Sequence, residues 1–180
     1  MHFFQGTLDP GHPTYPNLVT RNLNPLFLQF DVNDVEQAIN YTIKQNSQID
    51  ESRIGLFGHG YGATVAVQLS LNRKSRFNVT VLVNPIADIG AMSSSVDLAE
   101  WPYHVMGVNY SSASVPTEIL SSAWEKSPLN KVNHIKAATL IFVGTEDKRV
   151  LPEAQGIAFY KALRSQMTTP TALYHYPGKY

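Results

Sequence analysis

Gly58-His59-Gly60-Tyr61-Gly62 places three glycines in five positions between two apolar runs. Arg53-Ile54-Gly55-Leu56-Phe57 precedes it, and Ala63-Thr64-Val65-Ala66-Val67-Gln68-Leu69 follows. The first run reads as a strand and the second as a helix, so the glycines mark a tight strand-to-helix turn. Glycine is the residue for a positive φ or a close backbone approach. Such a turn serves two chemistries. As Gly-x-Ser-x-Gly it lifts a serine hydroxyl above the end of a sheet, where it acts as a nucleophile. As a glycine-rich dinucleotide fingerprint it brings backbone against a pyrophosphate. Here the middle position is Gly60, so the turn keeps the first form without its hydroxyl.

The rest of the chain alternates strands and helices around this turn. Residues 1–30 hold four prolines, Pro10, Pro13, Pro16 and Pro25, and read as loop with a short strand at Leu26-Phe27-Leu28. A helix is expected to start at Asp31, with Val32, Val35, Ile39 and Ile43 on one face and Asp31 and Asp34 in its first turn. Strand 53–58, a helix over about 62–72 and strand 79–84 follow. Residues 86–133 read as an insertion of short helices over the top of the sheet, with Trp101, Tyr103, Tyr110 and Trp124 packing a lid. Strand 138–144, a helix over about 152–165 and strand 171–176 complete the pattern. Alternation of this kind predicts an α/β fold with a mostly parallel sheet flanked by helices. Strands 79–84 and 138–144 are apolar at successive positions, as strands covered on both faces are.

Composition narrows the function. The 14 basic and 14 acidic residues cancel, so no charge excess points to nucleic acid or an anionic membrane. There is no cysteine, which removes disulfides, thiol nucleophiles and zinc–thiolate sites. No apolar stretch approaches the roughly 18 residues that a membrane span needs. The amino terminus has no basic segment leading into an apolar one, so the expected location is the cytoplasm. The six histidines show no ligand spacing, and neither a metal nor another cofactor is expected. His175 falls inside the last strand and reads as structural. His59 precedes Gly60, and its side chain is expected to point into the domain. A dinucleotide site would want an acid at the end of the next strand. That strand ends in Asn84-Pro85, which ranks this alternative low. A non-catalytic binding or regulatory module is the other alternative.

Four motifs come in a recognisable order. Gly58-His59-Gly60-Tyr61-Gly62, Asn84-Pro85-Ile86, Trp124-Glu125-Lys126-Ser127-Pro128 and Gly144-Thr145-Glu146-Asp147-Lys148-Arg149-Val150 resemble the prolyl-oligopeptidase family of serine peptidases. Asp97-Leu98-Ala99-Glu100-Trp101 looks most like its acylaminoacyl-peptidase branch. The resemblance runs from about Asp31 to Pro177, and it implies a partial α/β-hydrolase fold. Residues 31–180 would be a truncated peptidase domain, with 1–30 a loop-rich segment of no assigned role.

The resemblance also implies roles, position by position. The family's nucleophilic serine would fall at Gly60. The backbone N–H of Tyr61 would be an oxyanion donor. Asp147 would be the triad acid that orients a histidine, and Arg149 would support it. The family's histidine lies a few residues past a Tyr-Pro, whereas here Tyr176-Pro177 is followed by only Gly178-Lys179-Tyr180. Nothing in residues 1–30 matches the upstream segment that supplies a second oxyanion donor. The family substrate would be an N-acylated peptide, and this chain is expected to be inactive toward it. The strands that precede the elbow strand in the family are missing. Strand 53–58 is therefore expected at a sheet edge, open to self-association unless Leu26-Phe27-Leu28-Gln29-Phe30 covers it.

Overall fold

The structure, a computed structural model, describes residues 3–5, 27–71, 76–94, 99–106 and 115–178. Five strands lie side by side in chain order: β1 Phe3–Gln5, β2 Ile54–His59, β3 Phe77–Val83, β4 Ala138–Gly144 and β5 Thr171–Tyr176. Every pairing is parallel. The connections carry α1 Phe27–Gln45, α2 Tyr61–Ser70, α3 Trp101–Met106, α4 Thr117–Lys126 and α5 Ala158–Gln166. The α/β class and the parallel sheet are as the alternation predicts.

Register decides which strand residues reach the core. Gly58, Leu82, Ile141 and Leu173 align across the sheet, as do Leu56, Thr80 and Thr139. Side chains on this face meet the helices. Leu56, Leu82, Ile141 and Val143 share one buried cluster with Leu28 and Ile39 of α1, Ala63 and Val67 of α2, and Phe159 and Leu163 of α5. The opposite face carries Phe57, Val81, Leu140 and Ala172 in register, then His59, Val83, Phe142 and Tyr174. It is only partly covered: Val79 is 40% and Tyr174 54% exposed, and Phe142 stacks on Tyr174 at 5.7 Å. The reading of β3 and β4 as buried on both faces is therefore corrected. Their apolar runs supply one packed face and one half-open face. His59 sits on the open face and is exposed, so it does not point into the domain. His175 lies within β5, as expected, with its side chain exposed.

Two expectations about the amino-terminal part also change. Phe27 and Leu28 are helical, not a strand, and α1 starts a turn before Asp31. The reason is legible: Leu28 extends the Val32, Val35, Ile39 stripe back by one turn, and it is buried. Leu26 lies outside the described residues. The second change concerns β2, which is not an edge. Phe3, Phe4 and Gln5 pair with Gly55, Leu56 and Phe57. Self-association through an open β2 edge loses its structural basis: the strand beside β2 is β1, and Phe27–Phe30 belong to α1.

Among its described residues, the 86–133 region consists of short helices and turns, as read. Besides α3 and α4 it carries two 3-10 segments, Gly90–Ser94 and Pro128–His134. A second cluster joins Ile86, Ile89, Met92, Tyr103, Ile119 and Val150 beyond the carboxyl ends of β3 and β4. Tyr103 is buried in it, and Trp101 packs on its side. Trp124 instead faces outward, 44% exposed. Tyr110 lies outside the described residues.

Candidate functional site: the elbow and the strand-end aspartate

All strands are parallel, so the residues following β2, β3 and β4 share one edge of the sheet. Gly60 follows β2, Asn84 follows β3 and Asp147 follows β4. Gly60 caps α2 with φ 54° and ψ −121°, a backbone that side-chain-bearing residues rarely adopt. Its N–H donates to Val83 O at 2.9 Å, and its carbonyl accepts from Ala63 N at 3.1 Å. Space is not the constraint at Gly60, because a Cβ there would meet nothing within 4 Å. Gly58 is the opposite case. A Cβ there would lie 2.4 Å from Gly62 O and 2.6 Å from Ala63 Cα. Gly58 thus permits the turn to close, and Gly60 supplies its positive φ. Tyr61 opens α2, so its N–H belongs to the first helical turn, where amides lack intrahelical acceptors.

The Asp147 carboxylate is held in place on both oxygens. Oδ1 accepts from Arg149 N and Val150 N, each at 2.9 Å, and Oδ2 accepts from Asn84 Nδ2 at 2.6 Å. Asn84 is buried and has φ 41°, a conformation asparagine tolerates better than most residues. Its Oδ1 accepts from Gly144 N at 2.8 Å, so one side chain ties the ends of β3 and β4 to the aspartate. The two places named for the nucleophile and the acid thus flank the β3 end. Arg149 touches Asp147 through its backbone N–H. An open cleft of about 540 Å³ beside the aspartate is lined by Thr145, Glu146, Lys148 and Glu153 among others.

Asn84 also bears on the dinucleotide alternative. It occupies the strand end where that reading wants an acid, and its amide is already engaged on both sides.

Several organising residues gave no clear signal in the sequence. The turn after β3 runs through buried backbone, and side chains satisfy it. Thr64 Oγ1 donates to Ile86 O at 2.7 Å. Gln155 Oε1 accepts from Ala87 N and Asp88 N, both at 2.8 Å, while Nε2 donates to Asp88 O at 2.8 Å. Ser127 Oγ accepts from Ile89 N at 2.9 Å. Gln155 sits in a π-helical turn, Glu153–Ile157, that leads into α5. These bonds fix the floor between the elbow and Asp147, since a buried amide left unpaired is costly.

Asp31 is the other missed residue. Tyr61 Oη donates to Asp31 Oδ2 at 2.5 Å, and the Tyr61 ring meets Trp101 edge-on at 6.1 Å. The elbow is thereby tied to α1 and to the lid. Burial lifts the Asp31 carboxyl above its ordinary value; the Tyr61 hydrogen bond opposes this and the charge of Asp34 adds to it. Burial, and then the bond to Asp31, push the Tyr61 phenol well above the ordinary phenol range. A carboxyl raised in the folded state contributes stability below its unfolded pKa, and that contribution is lost as pH rises through the folded value. Asp31→Asn keeps an acceptor for Tyr61 and removes the charge. It is expected to be more stable than the parent at pH 7, with the gap closing toward pH 4. Urea midpoints at the two pH values check this. A variant that is less stable at both would show that the charge itself is needed.

Known proteins resemble this chain in sequence and in fold. The family model described as "Prolyl oligopeptidase family" matches residues 21–179. The acylamino-acid-releasing enzyme of Sus scrofa is 30% identical over 148 residues, covering 82% of this chain and 20% of the relative. That of Homo sapiens is 30% identical over the same span. The chain thus spans about one fifth of the length of the curated relatives it matches. Among solved structures, Pyrococcus horikoshii acylaminoacyl peptidase superimposes with a TM-score of 0.69 at 21% identity, over 81% of this chain and 22% of that one. A puromycin-hydrolyzing peptidase of Mycobacterium tuberculosis gives 0.68 at 19% identity, over 82% of this chain and 21% of that one. These two show the fold, an α/β-hydrolase sheet with its helices. With the family model matched from residue 21 to residue 179, the chain belongs to the prolyl oligopeptidase family.

Proposed function

We propose that this chain carries a catalytically silent serine-peptidase fold, derived from an enzyme that released N-acylated amino acids from peptides. One observation supports the reading: Gly60, at the position the family resemblance gives to the nucleophile, holds φ 54° and ψ −121° between β2 and α2 and carries no hydroxyl. In this reading Tyr61 N–H is a remaining oxyanion donor and Asp147 the remaining triad acid. Asp147 is bonded by Asn84 and two backbone amides, and among the described residues no histidine reaches it. Without a hydroxyl there is no acyl acceptor, and without a base a serine would stay protonated.

Hydrolysis assays test this. With N-acetyl-amino-acid p-nitroanilides or aryl esters, the chain is expected to match the buffer rate. Gly60→Ser is expected to fold, because its side chain meets open space, and to remain at the buffer rate. Turnover by that variant well above buffer would mean that a base is in place.

A further inference from the structure

A cavity of about 300 Å³ lies between α1, α2 and the end of α4, away from the elbow and Asp147. Leu28, Gln29 and Val32 line it from α1, Gln68 from α2, and Lys126 and Lys131 from the end of α4 and the 3-10 segment that follows. We propose that it binds a small amphiphilic monoanion, a carboxylate on a short hydrocarbon chain. The inference rests on none of the elbow chemistry.

The two walls differ in kind. Leu28 and Val32 are one turn apart and present hydrocarbon. Opposite them, Gln68 is fixed at both ends of its amide. Nε2 donates to Lys126 O at 2.9 Å, and Oε1 accepts from Lys131 Nζ at 3.1 Å. The amide therefore aims the Lys131 ammonium while neutralising none of its charge. An ammonium has three donors, and among the described residues Gln68 takes one. Among the described residues, no carboxylate lines the cavity. Asp31, next to Val32 in the chain, is turned to the Tyr61 hydroxyl. Burial lowers the proton affinity of both lysines, in keeping with cations held partly out of water.

These features select a ligand class. A carboxylate would fill the open donors of Lys131 with charge-assisted bonds. A hydrocarbon tail would cover Leu28 and Val32, which an inorganic anion leaves bare. A neutral alcohol gains the wall and forgoes the charge. The cavity lies at the small end of the roughly 300–1,000 Å³ typical of ligand sites, so the tail is short.

The full chain is titrated with hexanoate, hexan-1-ol or inorganic phosphate at constant ionic strength, following the melting temperature and the methyl resonances of Leu28 and Val32. A ligand bridging three elements stabilises the folded state by mass action. Hexanoate is expected to raise the melting temperature saturably and to shift both methyls. Lys131→Gln is expected to weaken hexanoate about tenfold, the loss of one charge-assisted contact. Val32→Thr, which keeps the volume, should weaken hexanoate and leave phosphate unchanged. Hexanol binding as well as hexanoate, phosphate matching it, an unchanged affinity in Lys131→Gln, or no saturable shift would each overturn the proposal.

Discussion

Gln155→Leu is expected to cost about 3–9 kcal/mol of folding stability, at roughly 1–3 kcal/mol for each of three backbone groups left unpaired. Gln155 is almost wholly buried, and its amide serves three backbone groups: Ala87 N, which is buried, and Asp88 N and O, which are part-buried. Leucine nearly matches its volume, so the loss isolates the hydrogen bonds from the packing. The penalty rivals the whole stability of an ordinary domain, about 5–15 kcal/mol. The turn after β3 also holds Asn84 against Asp147, so local loosening should spread to the strand end. Equilibrium denaturation with amide exchange at Ala87 and Asp88 reads both effects. A loss below about 1 kcal/mol, the worth of a single ordinary hydrogen bond, would show that the turn finds other partners.

Gly58→Ala is the second large effect. The methyl would overlap the backbone of Gly62 and Ala63, which are fixed in the first turn of α2. Overpacking against movable side chains costs about 1–3 kcal/mol. Here the obstacle is main chain, so a cost at or above the upper end, about 3 kcal/mol, is expected. Gly60→Ala provides the contrast. It meets no atom and pays only for its positive φ, about 1–3 kcal/mol for a sparsely populated backbone region. The order Gly58→Ala worse than Gly60→Ala is the signature of this elbow. Equal costs in chemical denaturation would contradict the close approach at Gly58.

Much of this was legible in the sequence because it depends on local pattern. Glycines between a strand-like and a helix-like run fix the elbow, and Gly60 takes the positive φ such a turn demands. Strands β3, β4 and β5 follow from apolar runs bounded by proline, glycine or polar residues. The start of α1 was misplaced because Leu26-Phe27-Leu28 is short and apolar, a pattern that strand and helix share. Leu28 belongs to the helical stripe, and only its neighbours in space decide the matter. The covering of β2 by Phe3–Gln5 was missed for a related reason: three residues pairing across some 50 positions leave no periodicity. Gln155, Ser127 and Asn84 were opaque as organisers. Their work is to satisfy backbone amides far away in the chain, and a polar residue at a strand end, a helix end or a π turn gives no hint of which amides. Asp31 reads as a favourable charge at a helix start, yet its role comes from Tyr61, a partner 30 residues away.

The most direct test of the silent elbow is covalent. The parent chain and Gly60→Ser are each incubated with a serine-directed fluorophosphonate, and intact mass is measured. Neither is expected to gain the mass of the adduct, the first for want of a hydroxyl and the second because, among the described residues, no histidine bonds Asp147. Stoichiometric labelling of the variant at position 60 would show an activated serine. It would contradict the reading of this elbow as a scaffold without its chemistry.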